Sequence, residues 1–424
     1  MRAAQPRPNY AVLTGGRSMA LATPMDAKIT APEGKSSIGL LPFANLSGDP
    51  EQDLFVDGIV EDVATALTRF RSLFVVAGGS GLSLRGQDLT PQEAGRLLGV
   101  RHLLDGAVRR DADRVGISVT LIDAHDGAQL WAGRFQDAVA DIFNLHGEVA
   151  LSVAARIEPS VQGEKAPAQP RPAIDPEAYD LFLRARALAR AATPDSIEQA
   201  LPLYERSLEL DPGNARAVVS CALGLAGAAA VGCAGEDRLR ALSRERVQAA
   251  LRLAPEDIEV LVLAAQALHD LQGDNSAARA LVDQAVALNP GHAHAWRLSG
   301  WLWAATEPGD PHLAVEHLEH SLRLDPLSPR LAMTLTGLGF ARLGQRRVEE
   351  AIALFRQSAQ LFSGNPMNYV WLAVCHAQLK EFAEAHEAAA RFCAHYGMTV
   401  QAWADRVGAS DWVKSRLARI ESRV

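Results

Sequence analysis

Apolar positions change their period along the chain. Between residues 37 and 160 short apolar runs alternate with helically spaced ones, whereas beyond residue 177 the helical spacing persists. Ser37 to Phe43 (SIGLLPF) predicts a buried strand that ends in the turn-rich segment Asn45 to Pro50. Leu54, Phe55, Ile59, Val63, Leu67 and Phe70 fall on one face of a helix over 53–70. Leu73 to Ala77 predicts a second buried strand, and Gly78 to Gly86 a glycine-rich loop. Thr90-Pro91-Gln92-Glu93 opens a short helix, with a capping hydroxyl, a proline at the first helical position and an acid in the first turn; Gly99 ends it. Three strands follow, Arg101–Arg109, Arg114–Asp123 and Gln129–Phe135. The turns Asp111-Ala112-Asp113 and His125-Asp126-Gly127 separate them as hairpins. Ile142, Leu145, Val149, Val153 and Ile157 close the unit as a helix, so the expected order over 36–160 is βαβαβββα, an α/β layer on a mixed sheet.

The second half repeats itself. Helix ends followed by proline recur at Leu208-Glu209-Leu210-Asp211-Pro212, Leu251-Arg252-Leu253-Ala254-Pro255, Val286-Ala287-Leu288-Asn289-Pro290 and Leu322-Arg323-Leu324-Asp325-Pro326. A degenerate copy ends at Pro366, and the spacings between successive prolines are 43, 35, 36 and 40 residues. Proline cannot continue a helix and biases the preceding residue away from it. Small residues recur where two helices of a unit would touch: Ala265, Ala278 and Ala285, then Gly300 and Ala314, then Gly337, Gly344 and Ala351, then Ala373 and Ala385. About six helix pairs are expected over 177–398, an all-α superhelix, with a capping helix over 399–424.

Pro and Gly without periodicity mark 1–35 as a disordered leader, and Pro167, Pro170, Pro172 and Pro176 mark 161–176 as a proline-rich linker. The 19-residue stretch Ala217 to Gly235 carries no charge, but its Ala and Gly content gives little transfer gain into lipid, so no membrane span is expected. The net charge of −8 argues against direct nucleic-acid binding. Four cysteines in 424 residues are too few for a disulfide framework, which favours a reducing, cytoplasmic setting.

Three segments carry a resemblance. LPFANLSGDPEQDLFVDGIVEDV, GRLLGVRHLLDGAVRR and DRVGISVTLIDAHDGAQLWAGRFQDAVADIF are similar to the TolB amino-terminal-like domain of bacterial signalling proteins, over roughly Ser37 to Pro159. The resemblance weakens at Gly78-Gly79-Ser80-Gly81-Leu82-Ser83. That family implies a neighbour of class III adenylate cyclase or winged-helix domains and supplies no catalytic residue. The repeats resemble tetratricopeptide repeats, which implies a concave groove lined by the first helix of each unit. Carried over by position, the groove candidates are Gln266, His269, His294, Arg297, Trp301, Thr334, Arg342, Val374 and Gln378, while Trp296 and Trp303 match core positions.

Motifs of catalysis are sparse. No Gly-x-x-x-x-Gly-Lys-Ser/Thr or Gly-x-Ser-x-Gly occurs, and the glycine loop with Arg85 offers only a weak anion cradle. Asp57, Glu61 and Asp62 read as solvated charge on one helix face rather than the metal-binding pair of a cyclase. Cys375, His376, His386, Cys393 and His395 are close in sequence, but their spacing fits no common zinc pattern. The expectation is no catalytic residue, no metal and no cofactor, and a protein or peptide partner held by the repeat groove. The alternative is a stand-alone regulatory module of an adenylate cyclase or winged-helix regulator system.

Overall fold

The computed structural model describes residues 35–158, 174–190, 194–230, 235–271, 275–305, 309–362, 367–406 and 411–421. The leader and most of the linker read from the sequence lie outside these residues.

The amino-terminal unit holds strands β1 (Ser36–Leu40), β2 (Ala44–Asn45), β3 (Leu73–Val75), β4 (His102–Asp111), β5 (Arg114–Asp123) and β6 (Gln129–Ala138). Its helices are α1 (Asp53–Leu67), α2 (Gly78–Leu82), α3 (Pro91–Leu98) and α4 (Ile142–Ile157). The sheet runs β3-β1-β4-β5-β6, with β2 also against β4. β1 is parallel to β3 and β4, while β4–β5 and β5–β6 are antiparallel. The parallel pair β1–β3 needs a crossover, which α1 supplies. Ten-residue β4 and β5 pair along their whole length, in register from His102 opposite Asp123 to Asp111 opposite Arg114. The hairpin turn places Ala112 at positive φ. Thr90 caps α3 through the reciprocal bonds of a capping box with Glu93, and Gly99 terminates it in the left-handed region.

In this unit two elements differ from the sequence reading, and at the chain's other end the single capping helix expected over 399–424 is two helices, Val400–Arg406 and Asp411–Glu421. The two-residue strand β2 is too short to leave a periodic signal. Residues Gly78 to Leu82, expected as loop, form one helical turn. Glycine is a poor helix former, but here lack of a Cβ permits contact. A Cβ on Gly81 would sit 1.7 Å from the Leu40 carbonyl oxygen, and one on Gly78 would sit 3.1 Å from the Glu61 Cα.

Beyond residue 174 the described chain is helical. The helices are α5 (Pro176–Ala189), α6 (Pro194–Leu210), α7 (Ala215–Ala230), α8 (Glu236–Leu253), α9 (Ile258–Asp270), α10 (Asn275–Leu288), α11 (Ala293–Ala305) and α12 (Pro311–Leu324). They continue as α13 (Leu331–Gly344), α14 (Val348–Leu361), α15 (Met367–Leu379), α16 (Phe382–Tyr396), α17 (Val400–Arg406) and α18 (Asp411–Glu421). Successive helices pack in pairs, and each pair packs on the next. The small residues sit at these contacts: a Cβ on Gly300 would lie 2.5 Å from the Leu318 Cγ, and one on Gly337 2.9 Å from the Trp301 Nε1. Ala217 to Ala230, the uncharged stretch, lies within α7. Among the described residues no helix is long and apolar enough to cross a membrane.

A recurrent hydrogen bond fastens several pairs. The buried hydroxyls of Ser207, Ser321 and Ser358 donate to the carbonyls of Ala178, Ala293 and Ala332 over 2.7, 2.9 and 2.7 Å. Ser207 and Ser321 each stand five residues before a repeat proline, where the unit ending at Pro290 has Ala285.

The amino-terminal unit and the repeats share apolar cores. One cluster runs from Ile38, Phe55, Val63 and Val149 into Tyr179, Phe182, Tyr204 and Cys221 of α5 to α7. A second, containing Phe74, Val76, Leu98 and Leu103, takes in Ala293 and Leu324 from α11 and α12. Two apolar clusters therefore join the repeat array to the α/β unit.

Candidate functional site

The junction follows from where the helix-ending prolines fall. Asn289 and Asp325, each just before a repeat proline, have left the helix and bond outward to the α/β unit. Asn289 donates from Nδ2 to Thr68 Oγ1 over 2.6 Å, just beyond the end of α1. Asp325 accepts from the Ser80 hydroxyl over 2.5 Å. The Leu327 N–H donates to Ser80 Oγ over 2.9 Å, the Ser83 hydroxyl donates to the Leu327 carbonyl over 2.9 Å, and the Ala77 N–H donates to the Leu324 carbonyl over 2.8 Å. The turn α2 is thus a plug for the loop between α12 and α13. The Ala77 N–H and the Ser80 and Ser83 hydroxyls are taken up by the repeats.

The acids of α1 correct a second expectation. Glu61 pairs with Arg186 and Arg190 of α5, at 3.3 and 2.6 Å. Asp62 accepts from Arg216 at 3.1 Å and from the Tyr179 hydroxyl at 3.3 Å. Asp57 pairs with Arg85 within the unit, yet burial outweighs that guanidinium and pushes its carboxyl up to about 6. Helical spacing showed that these acids share a face; it could not show that the face meets arginines from helices far along the chain.

Arg216 also reaches Asp257, the side chain that caps α9, at 3.4 Å. Burial opposes its charge, but Asp257 and Asp62 together hold it well above the ordinary arginine range. Next along the seam, Glu259 bonds to His292 Nε2 over 3.1 Å. Burial alone would raise that carboxyl; the bond and charge of His292, aided by Arg216, hold it well below the usual range.

Three groove candidates converge here. His294 Nε2 lies 3.1 Å from Gln266 Oε1, and burial, then the charges of Arg297 and Arg330, keep the imidazole well below its ordinary pKa. Arg297 is 6% exposed, with Asp325, Asp270 and Arg330 within electrostatic reach. Burial pushes the Asp270 and Asp325 carboxyls upward.

The other candidates are dispersed. His269 Nδ1 lies 3.0 Å from Asn275 Oδ1. Trp301 is half-buried: its Nε1 donates to the Met333 carbonyl over 3.0 Å and its ring meets Phe340 at 5.2 Å between centroids. Thr334 and Val374 are buried, so neither can meet a partner from a groove wall. Gln378 is half-buried on α15, and among the described residues its Oε1 finds no hydrogen-bond partner. Trp296 and Trp303, expected in the core, are only partly covered: Trp296 packs on His317 and His320, and Trp303 lies under Arg279 at 4.2 Å.

Arg342 belongs to a separate feature. It lines an open pocket of about 430 Å³ between α12 and α13, together with His312, Glu316, Glu319, Arg323 and Gln345. Its guanidinium reaches Glu319 at 3.3 Å, Glu350 at 3.5 Å and Gln345 Oε1 at 2.9 Å. Among the described residues no group of three or more His, Cys, Asp or Glu is placed to hold a metal ion. Cys375 is wholly buried, and His376 is taken by Glu381 at 2.6 Å.

No family model matches the chain. Over 191 residues it is 40% identical to a Rhizobium meliloti (strain 1021) protein named Putative adenylate cyclase 3, a match that covers 45% of this chain and 32% of that protein. The match thus spans about a third of that relative's length. Among solved structures, a thermophilic TPR protein of Thermus thermophilus aligns at 17% identity and a TM-score of 0.36, covering 45% of this chain and 94% of that one. Pseudomonas aeruginosa PilF aligns at 16% identity and 0.39, covering 55% and 97%. The type IV pilus biogenesis factor PilW aligns at 17% and 0.41, covering 57% and 99%. The repeat architecture rests on the chain's own stacked helix pairs.

Proposed function

We propose that this chain is a non-enzymatic interaction scaffold of bacterial signalling, acting in the cytoplasm and binding a protein or peptide along its repeats. The observation that carries the reading is the open, mixed-charge pocket around Arg342, formed between adjacent repeats. Arg323, Arg342 and Arg347 face Glu316 and Glu319 there. A polar peptide with both acidic and basic side chains matches that lining, and stacked helical hairpins commonly offer such surfaces to extended chains. The net charge of −8 favours protein over nucleic acid as the partner.

The test is a photo-crosslinking residue placed at Gln345 in the full chain in its native cells. One protein adduct is expected, absent when the same residue replaces exposed Leu130 on β6. Identical adducts at both positions would remove the pocket from consideration.

A second reading takes the α/β unit as a TolB amino-terminal-like domain and the chain as the regulatory portion of an adenylate cyclase or winged-helix regulator system; the name of the Rhizobium relative supports its cyclase part. Addition of the purified chain to a cyclase catalytic domain from the same organism should then change its rate of cyclic AMP formation. An unchanged rate across saturating concentrations would eliminate the cyclase form of this reading.

A further inference from the structure

Strand β6 closes one side of the sheet: among the described residues it pairs with β5 and with no strand beyond. Its backbone polar groups alternate between β5 and the open edge. The phase is fixed at the end of the strand. Arg114 stands opposite Ala138, and the Val139 N–H donates to the Asp113 carbonyl in the β4–β5 turn over 2.6 Å. Gly133, Phe135 and Asp137 therefore turn their backbone groups to β5, while Ala132, Arg134, Gln136 and Ala138 turn theirs outward. The Ala138 N–H agrees, since it bonds the Oδ1 of its neighbour Asp137 over 2.8 Å.

Sheet edges are commonly guarded by short length, by Lys or Pro, or by a covering helix or loop. The opposite edge is guarded: β3 has three residues, all buried. By contrast, β6 has ten residues and carries neither Lys nor Pro. Leu130, Ala132, Arg134 and Gln136 are exposed on one of its faces, Leu130 to 51%. On the other face Trp131 and Phe135 pack against the core, with 6.4 Å between their ring centroids. Trp131 lies across Gly133, where a Cβ would sit 2.4 Å from the indole ring.

We propose that β6 is the surface through which two copies of this chain pair, edge to edge and antiparallel, about a twofold axis at Gly133. Opposite residues of antiparallel strands share a face, so such an axis must pass through a residue. The other registers are weaker. An axis at Arg134 sets that guanidinium against its own copy. An axis at Phe135 or Gln136 calls on Ala138, whose N–H is already bonded. An axis before Gly133 runs off the strand at Gln129. The axis at Gly133 joins Ala132 to the second copy's Arg134 through outward backbone groups on both, and Leu130 to its Gln136. It sets Trp131 opposite Phe135 and Gln129 opposite Asp137, so aromatic rings meet and like charges do not. The strand belongs to the α/β unit, so this pairing does not rest on the Arg342 pocket.

The test is analytical ultracentrifugation of the full chain from about 1 to about 200 μM, a range suited to an interface of small area. A reversible monomer–dimer equilibrium is expected. Ala132→Lys sets an ammonium opposite Arg134 in both halves of the contact and should weaken association about tenfold. Ala132→Glu, at the same exposed position, should tighten it. Adding Arg134→Glu to Ala132→Lys should restore it. Arg134→Pro removes an outward donor, leaves the ladder to β5 intact and should abolish the dimer. The charge substitutions decide the matter should Arg134→Pro fail to fold. A monomer at every concentration, the outcome if another part of the same chain covers the edge, overturns the proposal. A dimer indifferent to the charge at position 132 overturns it equally.

Discussion

Ser80 is wholly buried and serves Asp325 from across 245 residues of sequence: its hydroxyl donates to the carboxylate over 2.5 Å while its oxygen accepts the Leu327 N–H over 2.9 Å. One side chain thus satisfies two groups of the loop between α12 and α13. Removing it would leave the Asp325 carboxylate with only its Ser328 bond and deprive the Leu327 N–H of its partner.

Ser80→Ala should therefore destabilise the chain by about 1–3 kcal/mol, the cost of buried unsatisfied groups. Urea denaturation followed by circular dichroism measures it. A cost within error of zero would mean that water replaces the hydroxyl.

Asp62 and Arg216 form the most enclosed of the ion pairs between α1 and the repeats, with side-chain exposures of 12% and 14% at 3.1 Å. Either Asp62→Asn or Arg216→Met should cost about 2–4 kcal/mol, since each leaves a partner charge enclosed. The double substitution should cost less than the sum, by a coupling of about 1 kcal/mol or more. Arg216 also holds Asp257, so its substitution should be the costlier of the two.

Two glycines should respond oppositely to alanine. Gly81→Ala drives a Cβ into the Leu40 carbonyl, at 1.7 Å, and α2 cannot stay seated; a loss of about 3 kcal/mol or more is expected. Gly147, inside α4, has nothing within 4 Å of its would-be Cβ. Gly147→Ala should stabilise by about 0.5–1 kcal/mol through helix propensity. Thermal melts of the two variants check both signs.

Asp57 sets a pH dependence. Its carboxyl is raised from 3.8 to about 6 by burial, against the pull of Arg85. The folded chain then binds that proton more tightly than the unfolded chain, so this group's contribution to stability falls as pH rises through that window. Asp57→Asn should flatten that part of the stability profile, by at most about 3 kcal/mol between its ends. A profile of unchanged slope in urea titrations from pH 4 to pH 7 would assign the carboxyl an ordinary pKa in the fold.

Much of the architecture was legible because it is written locally. Thr90, Pro91 and Glu93 specify a helix start within four residues, and the capping box forms as its chemistry requires. The prolines at 212, 255, 290 and 326 follow helix ends because their rings cannot continue a helix. The site was less legible. Gln266, His294 and Arg297 share a neighbourhood, whereas Thr334 and Val374 face inward. Position within a repeat gives a helix face only approximately, and each helix here is packed by neighbours of different bulk. The buried serines five residues before two of the prolines carried a periodic signal that a search for small apolar residues passes over.

The chain's own order of residues determined a mixed α/β unit followed by paired helices, since strand alternation, caps and proline punctuation act over a few residues and need no distant partner. Tertiary structure alone decided that Asp62 meets Arg216, that Ser80 meets Asp325, and that Arg297 is buried. Those outcomes depend on how the repeat array meets the sheet unit, and that placement is set by the summed fit of two apolar clusters rather than by any short run of sequence.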